Sequence, residues 1–285
     1  MIKFGPSGNS LSFYEEGHKH TFEAAKWLAE KGLSAFEYSF GRGVRINDES
    51  AELIKNEFSA HGIEISVHAP YYTNFASEDD VKIQNSIEYV KQSVIAAHKM
   101  GAKRTVFHPA SCGKMDRSEA VKRTYASLEL LSAALDEFDS DFLVCPETMG
   151  KFNQIGTIDE VLGFCKTDKR FYPCLDFGHI NSYTQGSLKT EDDYKRLIDK
   201  IFDALPDERA KNFHVHFSKI QYGAKGEIRH LTFADKEYGP EFEPLANVIV
   251  KYDLSPHIIC ESDGTMAEDA LYMKNVYNSI RRANL

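Results

Sequence analysis

The sequence reads Tyr172-Pro173-Cys174-Leu175-Asp176-Phe177-Gly178-His179 at the point that decides its fold. A short apolar run bounded by Pro and Gly is typical of a fully buried parallel strand. Asp176 stands where this strand ends, and His179 follows three residues later, in what we predict to be a loop. Two side chains that can bind a metal ion therefore leave one strand end together.

Seven further strands are predicted along the chain, and helices with apolar residues at a period of 3.6 separate them. All eight predicted strands are 2–4, 35–40, 63–68, 104–108, 142–147, 172–176, 212–217 and 257–261. The predicted helices are 21–30, 48–60, 79–100, 117–138, 157–165, 190–204, 241–252 and 268–281. Such alternation predicts a parallel sheet with helical crossovers. Eight units in 285 residues predict a single (β/α)₈ TIM barrel domain over residues 1–285.

Composition narrows the function classes. The formal net charge of −9 argues against a generic basic surface for nucleic acids. It does not exclude a local surface for nucleic acids, because bound divalent cations reverse the sign of the charge at a carboxylate-rich site. The five cysteines form no C-x-x-C pair, which favours a reduced, cytoplasmic compartment and argues against a cysteine zinc site. We expect no membrane span and no signal peptide.

Polar residues stand at or next to the ends of six predicted strands. They are His68, His108, Glu147, Asp176, His179, His214, His216 and Glu261. In a parallel barrel these ends lie on one face, where such enzymes keep their chemistry. Histidine and carboxylate donors suit Zn²⁺, with Mn²⁺ and Mg²⁺ as alternatives, and three carboxylates in one pocket repel each other without cations. Each residue alone is more often a hydrogen-bonded strand-end group, so the metal prediction depends on their shared position.

The seventh strand leaves one choice open. Side chains alternate along a strand, so His214 and His216 share the inward face and either can be the ligand. Cys145 and Cys174 lie two residues before Glu147 and Asp176, on the same inward face. We interpret both cysteines as small residues that fill the barrel.

Several short motifs carry a resemblance to a known family, and they spread over nearly the whole chain. They are His68-Ala69-Pro70-Tyr71-Tyr72-Thr73-Asn74, Phe107-His108-Pro109, Pro146-Glu147-Thr148, Leu175-Asp176-Phe177-Gly178-His179, His214-Val215-His216-Phe217-Ser218-Lys219, Arg229-His230 and Cys260-Glu261-Ser262. In these motifs the chain resembles the endonuclease IV family of apurinic/apyrimidinic endonucleases, within the xylose-isomerase-like TIM barrels. That family is a (β/α)₈ barrel with three zinc ions. It cleaves DNA on the 5′ side of an abasic site and leaves a 3′-hydroxyl.

The resemblance implies a role for each matched residue. It implies metal ligation by His68, His108, Glu147, Asp176, His179, His214, His230 and Glu261. Glu147 would bridge the first two zinc ions and help to deprotonate the attacking water, and a zinc-bridged hydroxide would attack phosphorus in line. A DNA-binding loop would contain Tyr71, Tyr72 and Asn74. The implied partner is DNA with abasic sites, bound by a monomer.

Three positions depart from the family pattern. Ile228 stands where the family places an Asp ligand of the third zinc. Glu227 is adjacent, but on a regular strand it would point away, whereas in a loop it could reach. His216 and Phe217 replace an Asn and an Asp, and the histidine that follows the first strand is missing. These departures bear mainly on the third zinc site, and the resemblance supports two zinc ions more directly.

A sugar isomerase or epimerase of the xylose-isomerase-like group is the alternative. Such enzymes hold one divalent cation with four ligands, here Glu147, Asp176, His214 and Glu261, and a carboxylate moves a proton beside a metal-held carbonyl. The acidic composition fits a small polyol. Four histidines would then have no role, namely His68, His108, His179 and His230. A non-catalytic DNA- or metal-binding barrel is a third interpretation.

Overall fold

The computed structural model describes residues 2–41, 43–138 and 141–284. Eight strands lie where the sequence predicted them, with ends that differ by a few residues. In chain order they are Lys3–Pro6, Ala35–Ser39, Glu64–His68, Arg104–Phe107, Leu143–Pro146, Cys174–Asp176, His214–Phe217 and His257–Cys260. We refer to them as the first to eighth barrel strands.

The strands pair in parallel and close into a barrel. The second to fifth strands form one group, and the sixth, seventh, eighth and first form the other. Parallel bridges from Ser7 to Glu37 and from Glu147 to Cys174 join the two groups. The first and second strands approach closely because residue 5 is glycine: a Cβ there would lie 1.7 Å from the carbonyl oxygen of Ala35. The predicted (β/α)₈ TIM barrel is confirmed.

Helices cover the outside of the barrel. They are Leu11–Glu15, Ala24–Glu30, Asp48–Ala60, Asp80–Lys99, Arg117–Leu135, Ile158–Cys165, Phe177–Tyr183, Glu191–Ala204, Phe242–Lys251 and Met266–Ala283. The Asp48–Ala60 helix begins where the Asn47 side chain accepts a hydrogen bond from the Ser50 amide at 2.7 Å. Its apolar stripe, with Ile54 and Phe58, is buried. Among the described helices, none is both long and apolar enough to cross a membrane.

Two connections differ from the sequence prediction, and both matter for the site. The segment after the sixth strand is the helix Phe177–Tyr183, so His179 lies in a first helical turn and not in a loop. The Asp176 side chain starts this helix by accepting a hydrogen bond from the His179 amide at 2.7 Å. Residues 219–231, where we predicted neither a strand nor a helix, form an antiparallel hairpin of strands Lys219–Gly223 and Gly226–Leu231.

The barrel interior is polar around its centre. Outward-facing strand residues such as Val215, Phe217 and Ile258 pack with the helices in one continuous apolar core. Cys145 and Cys174 fill the interior beside Val106 and Tyr172, as predicted. Other interior positions hold polar groups that are completely buried, namely Glu37, Ser66, His214 and His216. The burial of a polar group costs free energy unless the group is paired. These interior residues therefore serve more than the stability of the barrel.

Candidate metal centre

The carboxyl ends of the barrel strands meet at one mouth, as predicted. A cavity of about 580 Å³ opens there. Predicted site residues that line it include His68, His108, Glu147, His179, His230 and Glu261. Within the described residues, their side-chain donors fall into three neighbouring groups that could each hold a metal ion.

The first group contains His68, His108 and Glu147. The Oε2 atom of Glu147 lies 3.1 Å from Nε2 of His68 and 3.2 Å from Nε2 of His108. His68 is oriented from behind, because its Nδ1–H donates to the carbonyl of Ala69 at 2.7 Å. This hydrogen bond leaves the Nε2 lone pair of His68 facing the cavity, which is the arrangement that a metal-binding histidine needs.

The second group contains Glu147, Asp176, His216 and Glu261, whose donor atoms lie within 4.8 Å of one another. His216 Nδ1 is 3.0 Å from Glu147 Oε1 and 3.5 Å from Glu261 Oε2. One oxygen of Asp176 caps the helix that follows. The other, Oδ2, is buried and makes no hydrogen bond of good geometry, although His179 Nδ1 is 3.2 Å away. A buried carboxylate oxygen left in this way fits a cation.

His214 does not belong to this second group, and its assignment there is corrected to His216. His214 faces the interior as predicted, but it lies one pleat deeper in the barrel. Its Nε2 is 3.1 Å from Glu37 Oε2, and its ring stacks on His257 at a centroid distance of 5.1 Å. Below the mouth, among the residues that the structure describes, it could join a fully buried set with Cys174 and His216. Alternation put both histidines on the right face, but depth along the barrel axis separates them.

The third group contains His179, Glu227 and His230. His179 Nδ1–H donates to the carbonyl of Thr148 at 2.9 Å, so that its Nε2 faces Glu227 Oε2 at 3.4 Å. The rings of His179 and His230 are 5.6 Å apart. A carboxylate therefore completes this group even though the family position is occupied by Ile228.

A β-bulge explains how Glu227 reaches the site. In the hairpin, Tyr222 pairs with Glu227 and Gln221 pairs with Arg229, so that Ile228 is the extra residue. An inserted residue changes which side chains share a face, and it brings Glu227 and His230 to the same side. Ile228 itself is 57% exposed at the rim. A lone β-branched residue gives no sequence signal for a bulge.

Glycine lets the hairpin approach the site. A Cβ on Gly150 would lie 2.9 Å from both Glu227 Cβ and His179 Cδ2. Gly226 has a φ of +92°, and a Cβ there would lie 2.2 Å from the carbonyl oxygen of Gly150. The Glu227 amide donates to that same carbonyl at 3.0 Å. The 150–151 segment therefore holds the hairpin, and with it Glu227, against His179.

The carboxylates carry opposite pKa shifts. Burial favours a raised pKa for Glu147, but the positive charge of His216 and hydrogen bonds from His108 and His179 hold that pKa well below its usual range. Burial raises the pKa of Glu261, although His216 and His230 oppose it. Neighbouring carboxylates with divergent pKa values crowd one pocket, and imidazole nitrogens face them. This donor set suits divalent cations.

Glu37 is a buried group that the sequence prediction missed. It lies on the second strand between the rings of His214 and His216. Burial favours a raised pKa for Glu37, but the charge of His216 and contacts from His214 hold the pKa well below its usual range. The signal was a charged residue at an inward position of the short apolar strand Ala35–Ser39.

The loop after the third strand places only part of the predicted DNA-binding set at the mouth. Tyr71 and Tyr72 are 47% and 51% exposed, and Tyr71 lines the cavity. Tyr71 bonds to Ser39 through the two hydroxyls at 2.6 Å. Asn74 is placed differently: its side-chain oxygen accepts from the amides of Ala76 and Ser111, both at 3.1 Å, and it holds the loop from inside.

Comparison with known proteins agrees with the geometry. Residues 25–276 match the family model described as xylose isomerase-like TIM barrel. An uncharacterized protein of Methanocaldococcus jannaschii is 29% identical over 280 residues, which cover 98% of both chains. The probable endonuclease 4 of Mycoplasma pneumoniae is 30% identical over 178 residues, 61% of this chain and 59% of that protein. The resemblance to endonuclease IV proteins is thus confirmed.

Solved structures show the same fold at low identity. Endonuclease IV from Thermus thermophilus has a TM-score of 0.67, with 18% identity and 99% of both chains covered. A D-tagatose 3-epimerase-like protein has a TM-score of 0.71, again with 18% identity and 99% of both chains covered. Endonuclease-like and epimerase-like proteins therefore share this barrel, and the chain belongs to the xylose isomerase-like TIM barrel family.

Proposed function

We propose that the chain is a metal-dependent phosphodiester hydrolase that cleaves DNA on the 5′ side of abasic sites. One observation carries the proposal: Glu147 belongs to two ligand groups at once, and a third group lies beside them. Clustered cations that share a carboxylate are typical of enzymes that cleave phosphate esters. Relatives named probable endonuclease 4 and apurinic-apyrimidinic endonuclease 1 support the same reaction.

Three ions would be held by the three groups described above. The first would be held by His68, His108 and Glu147, the second by Glu147, Asp176, His216 and Glu261, and the third by His179, Glu227 and His230. Each group mixes nitrogen and oxygen donors, a set that favours zinc over magnesium. Glu227 gives the third group the carboxylate that Ile228 cannot supply.

Bound zinc would polarise the phosphodiester, and it would lower the pKa of a neighbouring water molecule toward neutrality. The protein's own contribution is orientation. Glu147 is fixed by histidines on both sides, since Oε1 faces His216 and Oε2 faces His68 and His108. A carboxylate held in this way can accept the proton of the attacking water without moving.

The rim of the mouth supplies groups suited to a strand of nucleic acid. Tyr71 and Tyr72 offer exposed aromatic faces on which a base or an exposed sugar can stack. Lys151 and Arg229 also line the cavity and can contact phosphate oxygens. These groups give a local binding surface on a chain whose net charge is −9. We propose that the barrel acts on DNA as a single-domain monomer.

A sugar epimerase is the second candidate, and one observation favours it. The group of Glu147, Asp176, His216 and Glu261 could hold one divalent cation without help from the other two groups. Glu147 and Glu261 would then stand on either side of a sugar carbon as proton donor and acceptor. This reaction leaves His68, His108 and the whole third group without a role, which is why we place it second.

Cleavage of a defined substrate tests the proposal. The zinc-loaded protein is incubated with a duplex oligonucleotide that carries one tetrahydrofuran abasic analogue. We expect a single cut on its 5′ side and a 3′-hydroxyl that a DNA polymerase can extend. An undamaged duplex of the same sequence is the control substrate. Elemental analysis of the same sample should give two or three zinc ions per chain.

Two results would count against the nuclease. Intact substrate in the presence of fully metal-loaded protein would contradict the nuclease. One ion per chain, together with epimerisation of a ketohexose, would establish the second candidate instead.

A further inference from the structure

Glu37 is completely buried in the centre of the barrel, and none of the three ligand groups uses it. Its Oε1 lies 2.9 Å from His216 Nε2, and its Oε2 lies 3.1 Å from His214 Nε2. Oε2 also accepts a hydrogen bond from Ser66 at 2.8 Å. A buried carboxylate strongly destabilises the folded state if its partners are removed. Such a group in a barrel interior needs an explanation beyond packing.

The two nitrogens of His216 face opposite ways. Nδ1 faces the mouth, toward Glu147 and Glu261, whereas Nε2 faces Glu37. A histidine binds a metal through one nitrogen lone pair and carries its proton on the other nitrogen. Nδ1 lies in hydrogen-bonding geometry with Glu147 Oε1 at 3.0 Å. A metal ion bound through Nδ1 takes the place of a proton there, so the ring proton is then on Nε2, which faces the Glu37 oxygen 2.9 Å away. This second contact is an ion pair and not a hydrogen bond of good geometry.

We infer that Glu37 is a positioning residue, which fixes the tautomer and the ring orientation of His216 and thereby supplies the second ligand group with its nitrogen donor. The inference rests on the proposed metal site and is independent of whether the substrate is DNA or a sugar. It adds a residue of the second strand to a site otherwise built from the third to eighth strands and the connections that follow them.

His214 explains why a carboxylate is needed at position 37. Both histidines turn Nε2 toward Glu37, one to each oxygen. A carboxylate presents a negatively charged oxygen to each ring, whereas an amide presents one oxygen and one NH₂ group. Glu37→Gln keeps the volume but leaves one ring facing a donor, so His214 and His216 compete for the remaining acceptor. A fraction of the molecules should then carry the His216 proton on Nδ1, where it blocks the metal.

Cobalt binding tests the inference without an activity assay. Co²⁺ affinity is measured by competition with a chromophoric chelator in the wild type, Glu37→Gln, Ser66→Ala and Glu64→Gln. We expect Glu37→Gln to weaken the binding of one ion by about 10- to 100-fold and to leave the affinity for the other ions unchanged. Ser66→Ala, which removes one hydrogen bond to Glu37, should weaken the binding of the same ion to a smaller extent. Glu64→Gln is the matched control, because Glu64 lies beside a different histidine, 3.8 Å from His257 Nδ1, at the far end of the barrel.

A spectroscopic readout separates positioning from stability. Nitrogen-15 NMR of the zinc form should show His216 protonated at Nε2 in the wild type and partly at Nδ1 in Glu37→Gln. Wild-type affinity and tautomer in folded Glu37→Gln would overturn the inference alone, whereas absence of Co²⁺ binding by the wild type would overturn the proposed function as well. A sulfur-to-cobalt band that Cys174→Ser removes would also overturn it, because the ion would then occupy the buried set below the mouth. Should Glu37→Gln not fold, unchanged affinity in Ser66→Ala decides against the inference.

Discussion

Glu147 Oε1 lies 3.0 Å from His216 Nδ1 in the middle of the candidate metal centre. The contact joins the fifth and seventh barrel strands, while the other oxygen of Glu147 faces His68 on the third strand. One carboxylate thus connects three strands and two ligand groups. This position is the reason that the proposed function gives one residue both a ligand role and a proton-transfer role.

Glu147→Gln should abolish turnover while the barrel remains folded. The amide cannot accept a proton from water, and its NH₂ group would face a histidine nitrogen on one side. We expect the cleavage rate to fall by at least about 100-fold, the size of a typical general acid–base contribution. Circular dichroism and thermal unfolding check the fold. A near-normal rate in this variant would remove Glu147 from the mechanism.

His216→Ala and His214→Ala should have different effects, although the residues are only two positions apart. His216→Ala removes the nitrogen donor of the second group, so one metal ion per chain should be lost in elemental analysis. His214→Ala creates a cavity and leaves Glu37 with one fewer partner, and we expect a loss of about 2–4 kcal/mol in the free energy of unfolding. Its metal content should stay close to that of the wild type. The reverse pattern would restore His214 as the ligand.

The sequence predicted the barrel, and most of the residues that the structure brings together at its mouth, for one physical reason. Parallel strands place their carboxyl ends on one face, so residues at strand ends such as His68 and Glu261 are brought together by topology alone. The resemblance pointed to His214, whereas the structure groups His216 with the mouth residues, because alternation gives the face of a residue and not its depth. The place of Glu227 in the site depends on a bulge. Glu37 lies at an interior position before the end of its strand. None of these three features has a signal in a single sequence that is as regular as a strand terminus.

Glu227→Gln should remove the third metal ion while the first two remain. The neighbouring change Ile228→Ser is the matched control, because that side chain is exposed on the bulge and belongs to none of the ligand groups found among the described residues. Gly150→Ala provides a second route to the same result, since the new Cβ would press on Glu227 and His179. Elemental analysis of all three variants is the measurement. Three ions retained in Glu227→Gln would exclude this carboxylate as a ligand.

Glu64 should make stability depend on pH in the acid range. His257, whose Nδ1 is 3.8 Å from Glu64 Oε2, and contacts with Lys3 lower the pKa of Glu64 to about 2 against the opposing effect of burial. Because the folded pKa is lower than the unfolded one, the stabilisation is complete above about pH 4 and is lost as the pH falls toward 2. Urea unfolding of the wild type and Glu64→Gln should therefore differ near pH 6 and converge in acid. The side chain is more than half exposed, so the difference should not exceed about 1 kcal/mol. A gap that widens in acid would contradict this assignment.

Removal of metal should lower the thermal stability of the whole barrel. Without cations, Glu147, Asp176 and Glu261 crowd one buried pocket with only histidine protons to neutralise them. An ion present at a hundred times its dissociation constant stabilises the folded state by about 2.7 kcal/mol, which corresponds to a shift in Tm of about 4–5 °C per ion for a chain of this size. Calorimetry before and after treatment with dipicolinate, followed by addition of Zn²⁺, measures this shift and its reversal. His216→Ala should show a smaller shift, because it has one fewer ion to lose. If the Tm does not change while elemental analysis confirms that the metal is gone, the carboxylates of this pocket are balanced by the protein alone, and the proposed metal centre loses its physical basis.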